Sequence, residues 1–172
     1  MLITKPEPSE FASYYGTYIN KAEGNDLLAA LRENALSFSN FILSIPAEKL
    51  DFSYAYGKWT IKEIIVHLTD AERIFAYRAL RFARKDKTPL SGFEENDYVP
   101  ESNAANQSRD QLLSEFLSVR VASINLFESF TREMCLRTGS ANGKEISVRA
   151  LGFIMVGHTV HHLQTIRERY LN

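Results

Sequence analysis

Apolar residues recur at helical spacing in four stretches of this chain, each with its own start and stop signals. The first runs through Leu27, Leu28, Leu31, Ala35, Phe38, Ile42 and Ile45. Asn25 opens it, Asp26 stands in its first turn near the positive end of the dipole, and Pro46 stops it. The second carries Ile61, Ile64, Leu68, Ala71 and Phe75 and continues to about Arg84. Thr60 and Glu63 form its capping box, each satisfying a backbone donor that the helix start leaves unpaired. Ser108 caps the third, whose buried side is Leu112, Leu113, Phe116, Val119, Ile124, Leu126 and Phe127. Ser147 caps the fourth, which passes through Val148, Leu151, Met155, His158, His162 and Ile166 to about Tyr170.

The remaining segments read as connectors. Residues 1–24 are aromatic and broken, with Pro6, Pro8, Phe11, Tyr14, Tyr15, Tyr18 and Ile19, and predict an arm with one irregular helical turn docked on the body. Residues 86–107 form a long polar loop with Pro89, Gly92 and Pro100, and Gly139–Gly143 is a turn. No persuasive strand is present. Four long helices in 172 residues predict an all-α fold, a four-helix bundle forming one domain over residues 1–172, with residues 1–24 as its arm.

Charge narrows the function. Lys and Arg total 20 and Asp and Glu 21, so the surplus that a non-specific nucleic-acid binder needs is missing. The single cysteine, Cys135, excludes an internal disulfide and a thiolate zinc cage, and fits a reducing compartment. No apolar run is long enough to span a membrane, and the first residues lack the apolar core of a signal peptide. A cytoplasmic protein without membrane or nucleic-acid partners is expected.

The candidate chemistry lies in the histidines. There are four, and His158, His161 and His162 fall within one stretch of the fourth helix. At about 100° per residue, His158 and His162 share an inward arc with Leu151, Met155 and Ile166, while His161 sits on its shoulder. His67 lies on the margin of the second helix's buried stripe, with Ala71, Ile74 and Arg78. Two facing helices can then assemble a three-histidine set with an open fourth position. A histidine on an apolar stripe is otherwise a core residue with its hydrogen bonds satisfied, but two stacked imidazoles in an apolar arc are costly without partners or a metal. Thr159 stands where the glutamate of an HExxH peptidase belongs, so that chemistry is unsupported.

At this point the chain resembles a known family. Lys58-Trp59-Thr60-Ile61-Lys62-Glu63, then His67 and Asp70-Ala71-Glu72-Arg73, together with Gly157-His158 and His161-His162, resemble the signature of the DinB/YfiT-like family. The resemblance covers nearly the whole chain. It implies a four-helix bundle with a non-sequential helix order and a divalent-metal site whose ligands are His67, His158 and His162. Neutral imidazoles suit zinc, nickel, copper or ferrous iron, and the absence of thiolates leaves that choice open; zinc or nickel is expected first, with iron or manganese as alternatives. It further implies a homodimer, as does the aromatic arm, and a metal-dependent enzyme acting on a small molecule. Thiol S-transfer with a low-molecular-weight thiol stands ahead of hydrolysis; a non-catalytic metal-binding or stress-response module is the alternative.

Other residues carry two readings each. Glu63 can orient His67, or simply cap its helix; Asp70 can be a ligand or base, or an exposed acid. Asp97 and Tyr98, in the long loop, can reach an open coordination position. Arg78 and Arg169 fall on inward arcs, where a guanidinium can hold an anionic substrate group or pair with a buried carboxylate. Cys135, read as the end of the third helix, lacks the companions of a nucleophile.

Overall fold

The computed structural model describes residues 1–171. After short turns at Pro8–Glu10 and Ser13–Tyr15 come helices α1 (Gly16–Ile19), α2 (Leu27–Ser44), α3 (Ile61–Ala83), α4 (Glu95–Tyr98), α5 (Arg109–Glu128) and α6 (Arg132–Leu136). A hairpin of β1 (Thr138–Ala141) and β2 (Lys144–Ser147) then leads into α7 (Val148–Arg169). The expected caps are in place. Thr60 Oγ1 accepts from Glu63 N at 3.2 Å while Glu63 Oε2 accepts from Thr60 N at 2.7 Å, and Ser108 and Gln111 repeat the exchange. Asp26, one residue later than expected, caps α2. Asn25 instead accepts from Lys5 N through its side chain at 2.9 Å, tying the arm to the start of that helix.

The four long helices are α2, α3, α5 and α7. Each of α2 and α3 packs against both α5 and α7, so the consecutive α2 and α3 lie across a diagonal of the bundle. That is the non-sequential order implied by the resemblance. The apolar interior falls into two clusters. One joins the arm, the start of α2, the ends of α3 and α5 and the start of α7 around Leu31, Phe82, Phe127 and Phe153. The other joins the end of α2, the starts of α3 and α5 and the end of α7 around Phe38, Ile65, Phe116 and Ile166.

Between the clusters each long helix contributes a buried polar residue: Asn34, Glu72, Arg120 and Thr159. Arg120 is fully buried, and all five of its N–H donors find acceptors. Nε and Nη2 form a fork onto the Glu72 carboxylate at 2.8 Å each, and Nη2 also reaches Thr159 Oγ1 at 3.3 Å. Nη1 donates to Asn34 Oδ1 at 2.7 Å and to the Leu31 carbonyl at 3.2 Å. One guanidinium thus holds all four long helices. Apolar spacing does not reveal it, because a pattern of hydrophobic positions passes over an arginine. It sits on the stripe Phe116, Arg120, Ser123, Phe127, which is buried throughout.

Three further departures have physical causes. The turn expected over Gly139–Gly143 narrows to Asn142-Gly143, because Gly139–Ala141 belong to paired strands, Thr138↔Ser147 to Ala141↔Lys144, too short to show alternation in the sequence. Asn142 and Gly143 both take positive φ (51° and 70°), as a tight hairpin turn requires. Residues 86–107 carry helix α4 and 3₁₀ turns, and Leu90 bridges Ala141, exchanging hydrogen bonds with Ser140 and Asn142 at 2.9 Å. Cys135 belongs to the separate helix α6, not to the end of α5.

The arm docks as expected, burying Ile3, Tyr15 and Ile19 against its own bundle. Helix α1 approaches α7 at Gly157, where an added Cβ would meet the Tyr18 carbonyl oxygen at 1.8 Å.

Two outcomes follow from this packing. Glu72→Ala leaves a buried guanidinium uncompensated and is expected to cost about 3–5 kcal/mol in chemical denaturation. Arg73→Ala, which removes only partly exposed pairs with Asp70 and Glu115, should cost under about 1 kcal/mol; equal costs would contradict the role given to Arg120. Gly157→Ala should lift the arm from α7, seen as faster proteolysis within residues 1–24, and unchanged cleavage there would count against the close approach.

Candidate metal centre

His67 projects from α3 at the level of the polar layer, and His158 and His162 from α7 one turn apart. Because α3 and α7 are packed neighbours, the three rings meet. His158 Nε2 lies 3.1 Å from His67 Nε2 and 3.0 Å from His162 Nε2, and one ligand atom from each ring falls within 4.8 Å of the others. Thr159, next to His158, turns about 100° away toward Arg120. The same turn of α7 therefore serves both the bundle centre and the histidine cluster. Trp59 packs on His67 with ring centroids 4.8 Å apart, and Tyr18 presents its ring edge-to-face to His158 and His161 at 5.2 and 5.5 Å.

The donor set fits a divalent cation. Burial lowers the pKa of His67 to about 4 and that of His162 to about 3, the neighbouring histidines adding to the effect at His162, and His158 falls well below its usual value for the same reasons. The rings are neutral at physiological pH, as metal ligation requires. Hydrogen bonding among them cannot be complete, because His158 Nε2 offers either one proton or one lone pair to two neighbours. Three lone pairs on one cation remove that conflict. Nitrogens about 2.0–2.1 Å from a tetrahedral ion lie about 3.3 Å apart, so the two observed spacings need open only slightly. Among the described residues no carboxylate or thiol joins the cluster as a fourth ligand.

All three histidines border a cavity of about 410 Å³. Its walls are aromatic, with Tyr14, Tyr15 and Tyr18 from the arm, Trp59 before α3, Phe75 on α3 and Phe93 from the 86–107 segment. Arg78, Glu95, Asn142 and His161 are its polar members besides the three. Tyr18 is held above its usual pKa by burial and by the Glu95 carboxylate, so its hydroxyl is protonated at neutral pH. A second cavity, of about 240 Å³, shares Trp59 and His162 with the first.

The remaining candidates distribute unevenly. Arg78 lines the larger cavity, and His161 lines it too while standing outside the ligand group. Asp97 and Tyr98 are exposed and line neither cavity, because helix α4 turns Glu95 toward the larger one and Asn96 toward the smaller. Arg169 lies exposed in the last turn of α7, where its charge complements the helix dipole. Glu63 caps α3 through Thr60, and Asp70 pairs with Arg73. Cys135 is buried elsewhere, and burial pushes its thiol pKa up, away from nucleophilic use. Sequence reasoning missed Glu95, for which periodicity offers no signal in an irregular segment. It also missed Tyr18 as a wall of the site, since tertiary packing of the arm on α7, including the close approach at Gly157, brings it there.

Comparison with known proteins agrees with this architecture. The sequence pattern of the DinB superfamily matches residues 27–166. A protein of Geobacillus thermodenitrificans named "Putative metal-dependent hydrolase" is 24% identical over 147 residues, covering 83% of each chain. Among solved structures, YfiT from Bacillus subtilis, described as a probable metal-dependent hydrolase with an unusual four-helix bundle topology, superposes with a TM-score of 0.74 at 17% identity, covering 95% of this chain and 90% of its own. A mycothiol-dependent maleylpyruvate isomerase superposes with a TM-score of 0.67 at 12% identity, over 80% of this chain and 58% of that one. The helix order, the histidine cluster and a match over most of its length make this chain a member of the DinB superfamily.

Proposed function

We propose that this protein is a metal-dependent enzyme in which His67, His158 and His162 hold one divalent ion, zinc or nickel first, facing a small-molecule cavity. The observation that carries the proposal is the three-nitrogen cluster opening onto an aromatic cavity of about 410 Å³ with no fourth protein ligand among the described residues. A closed four-ligand site serves structure, whereas three protein ligands leave a position for chemistry. The ion supplies Lewis acidity to a nucleophile or to the group it attacks. The chain's own residues do the rest. Trp59 and Tyr18 fix the imidazole planes by ring contact, and the aromatic walls receive the substrate body and exclude water. Tyr18 has a hydroxyl proton to donate at neutral pH.

Hydrolysis and thiol transfer both use such a site. The metal-dependent hydrolase names of relatives support the first. The second cavity supports the second, because two spaces meeting at His162 and Trp59 suit a reaction between two molecules, one of them a low-molecular-weight thiol. The assay pairs conjugation of a small thiol to a model electrophile with ester hydrolysis, each with and without metal. Metal-dependent turnover in either supports an enzyme, and its absence from both in metal-loaded protein contradicts one.

Metal analysis of protein purified without a nickel column should give about one ion per chain. His158→Ala or His162→Ala should abolish binding, and His161→Ala should leave it nearly intact; loss of the ion in His161→Ala alone would contradict the ligand set. The pH dependence has a definite sign. The folded-state pKa values of His67 and His162 lie below the unfolded value of 6.5, at about 4 and about 3. Their contribution to stability is complete above pH 6.5 and is lost as pH falls toward those values, because the unfolded chain takes up protons first. The metal-free protein should therefore melt progressively lower from pH 6.5 to 4. Metal binding should survive at pH 6 and fail as pH approaches about 4, measured by competition with a chromophoric chelator. Loss of binding at pH 6 would contradict the buried, neutral state of the rings.

A further inference from the structure

The larger cavity contains a charge that the protein does not neutralise. Arg78 is only 4% exposed, yet among the described residues no carboxylate forms an ion pair with it. Its one hydrogen bond runs from Nη2 to the Ser91 carbonyl oxygen at 3.0 Å, and its guanidinium carbon lies 6.0 Å from the Phe75 ring centroid. A guanidinium has five N–H donors, so most of its capacity faces the cavity that it lines. Arg120 shows what this chain does with a structural buried arginine: every donor is met and a carboxylate sits in the fork. Arg149 and Arg137, both partly buried, likewise have Glu10 and Glu133. Arg78 lacks this provision.

We propose that Arg78 is the anion-binding residue of the cavity, and that the natural substrate is a small molecule with a carboxylate at one end and an apolar body. A planar fork matches a carboxylate with two parallel hydrogen bonds, and a site with little water strengthens them. The flanking Tyr14, Tyr15 and Phe93 supply apolar surface for the body. Placement on the helix gives the orientation. Arg78 follows His67 by eleven residues, about 16 Å along α3 on the same face, and side chains of a helix lean toward its N-terminus, here toward His67. A substrate anchored by its acid at Arg78 therefore directs its other end at the three histidines. Glu95, the carboxylate among the cavity walls, makes no ion pair with Arg78 and acts on Tyr18 instead, so it leaves the fork open. The inference deepens the proposed function, since the reacting end is taken to be the one at the histidines, but acid binding at Arg78 needs no ion.

The test exploits that independence. Trp59 is the sole tryptophan and lines the same cavity, so its fluorescence reports occupancy in the full-length, metal-free protein. The probes are 3-phenylpropionate and its neutral amide, 3-phenylpropanamide, alike in size. The acid should bind at least about tenfold more tightly than the amide. Arg78→Met should bring the two within about twofold, and Arg78→Lys, which keeps the charge without the fork, should fall between. His158→Ala should keep the preference for the acid although it binds no ion, which separates this outcome from that of the metal assignment. Circular dichroism and thermal melting establish that each variant is folded; should Arg78→Met fail, Arg78→Lys decides, an unchanged preference counting against the fork. Equal binding of acid and amide to the unaltered protein, or a preference that survives in folded Arg78→Met, overturns the proposal.

Discussion

The Arg120 guanidinium is the constraint from which the rest of this structure follows. Burying it without partners would be prohibitive, so α2, α3 and α7 must each bring an acceptor to the level of Arg120 on α5. This demand fixes the register of four helices at once, which apolar packing alone does loosely because Leu and Ile contacts tolerate sliding. It also splits the interior into two apolar clusters with a polar layer between them. Whether such a layer adds stability over an apolar equivalent is secondary. Its effect is to make one alignment of the helices better than its neighbours by a full turn.

The histidine cluster depends on that alignment. Thr159 is held by Arg120, so His158 beside it and His162 a turn later are set facing α3, where Glu72 from the same network fixes the height of His67. The arm completes the arrangement from outside. Gly157 lets the Tyr18 backbone close on α7, and the Tyr18 ring then becomes a wall against His158. The glycine next to the first histidine of the pair thus has a steric function: it admits the segment that encloses the site. Two arginines mark the contrast between scaffold and cavity. Arg120 has all its donors satisfied, and Arg78, at the cavity, has one.

Much of this was legible in the sequence, and for identifiable reasons. The long helices announce themselves by spacing and by the boxes at Thr60 and Ser108, because capping is local chemistry. The helical wheel separates His158 and His162 from His161 because a buried arc is a property of one helix. What it leaves open is anything that needs two segments at once. Arg120 escapes a reading of apolar spacing because a charged residue counts as surface until its partners are known, and those partners lie on three other helices. The hairpin was missed because its strands are four residues long, and the sequence around Asn142 and Gly143 shows only the turn. In the 86–107 segment the sequence offers no period to tell Glu95 from Asp97 and Tyr98; the short helix α4 turns Glu95 toward the cavity.

The account stands or falls on what surrounds the ion. X-ray absorption spectroscopy on the zinc- or nickel-loaded protein reads that shell directly. Three imidazole nitrogens at about 2.0–2.1 Å and one further light atom that exchanges when a small thiol is added, becoming a sulfur at about 2.3 Å, is the result expected. A shell of four protein donors unchanged by thiol, or one with fewer than three imidazoles, would contradict an open three-histidine centre.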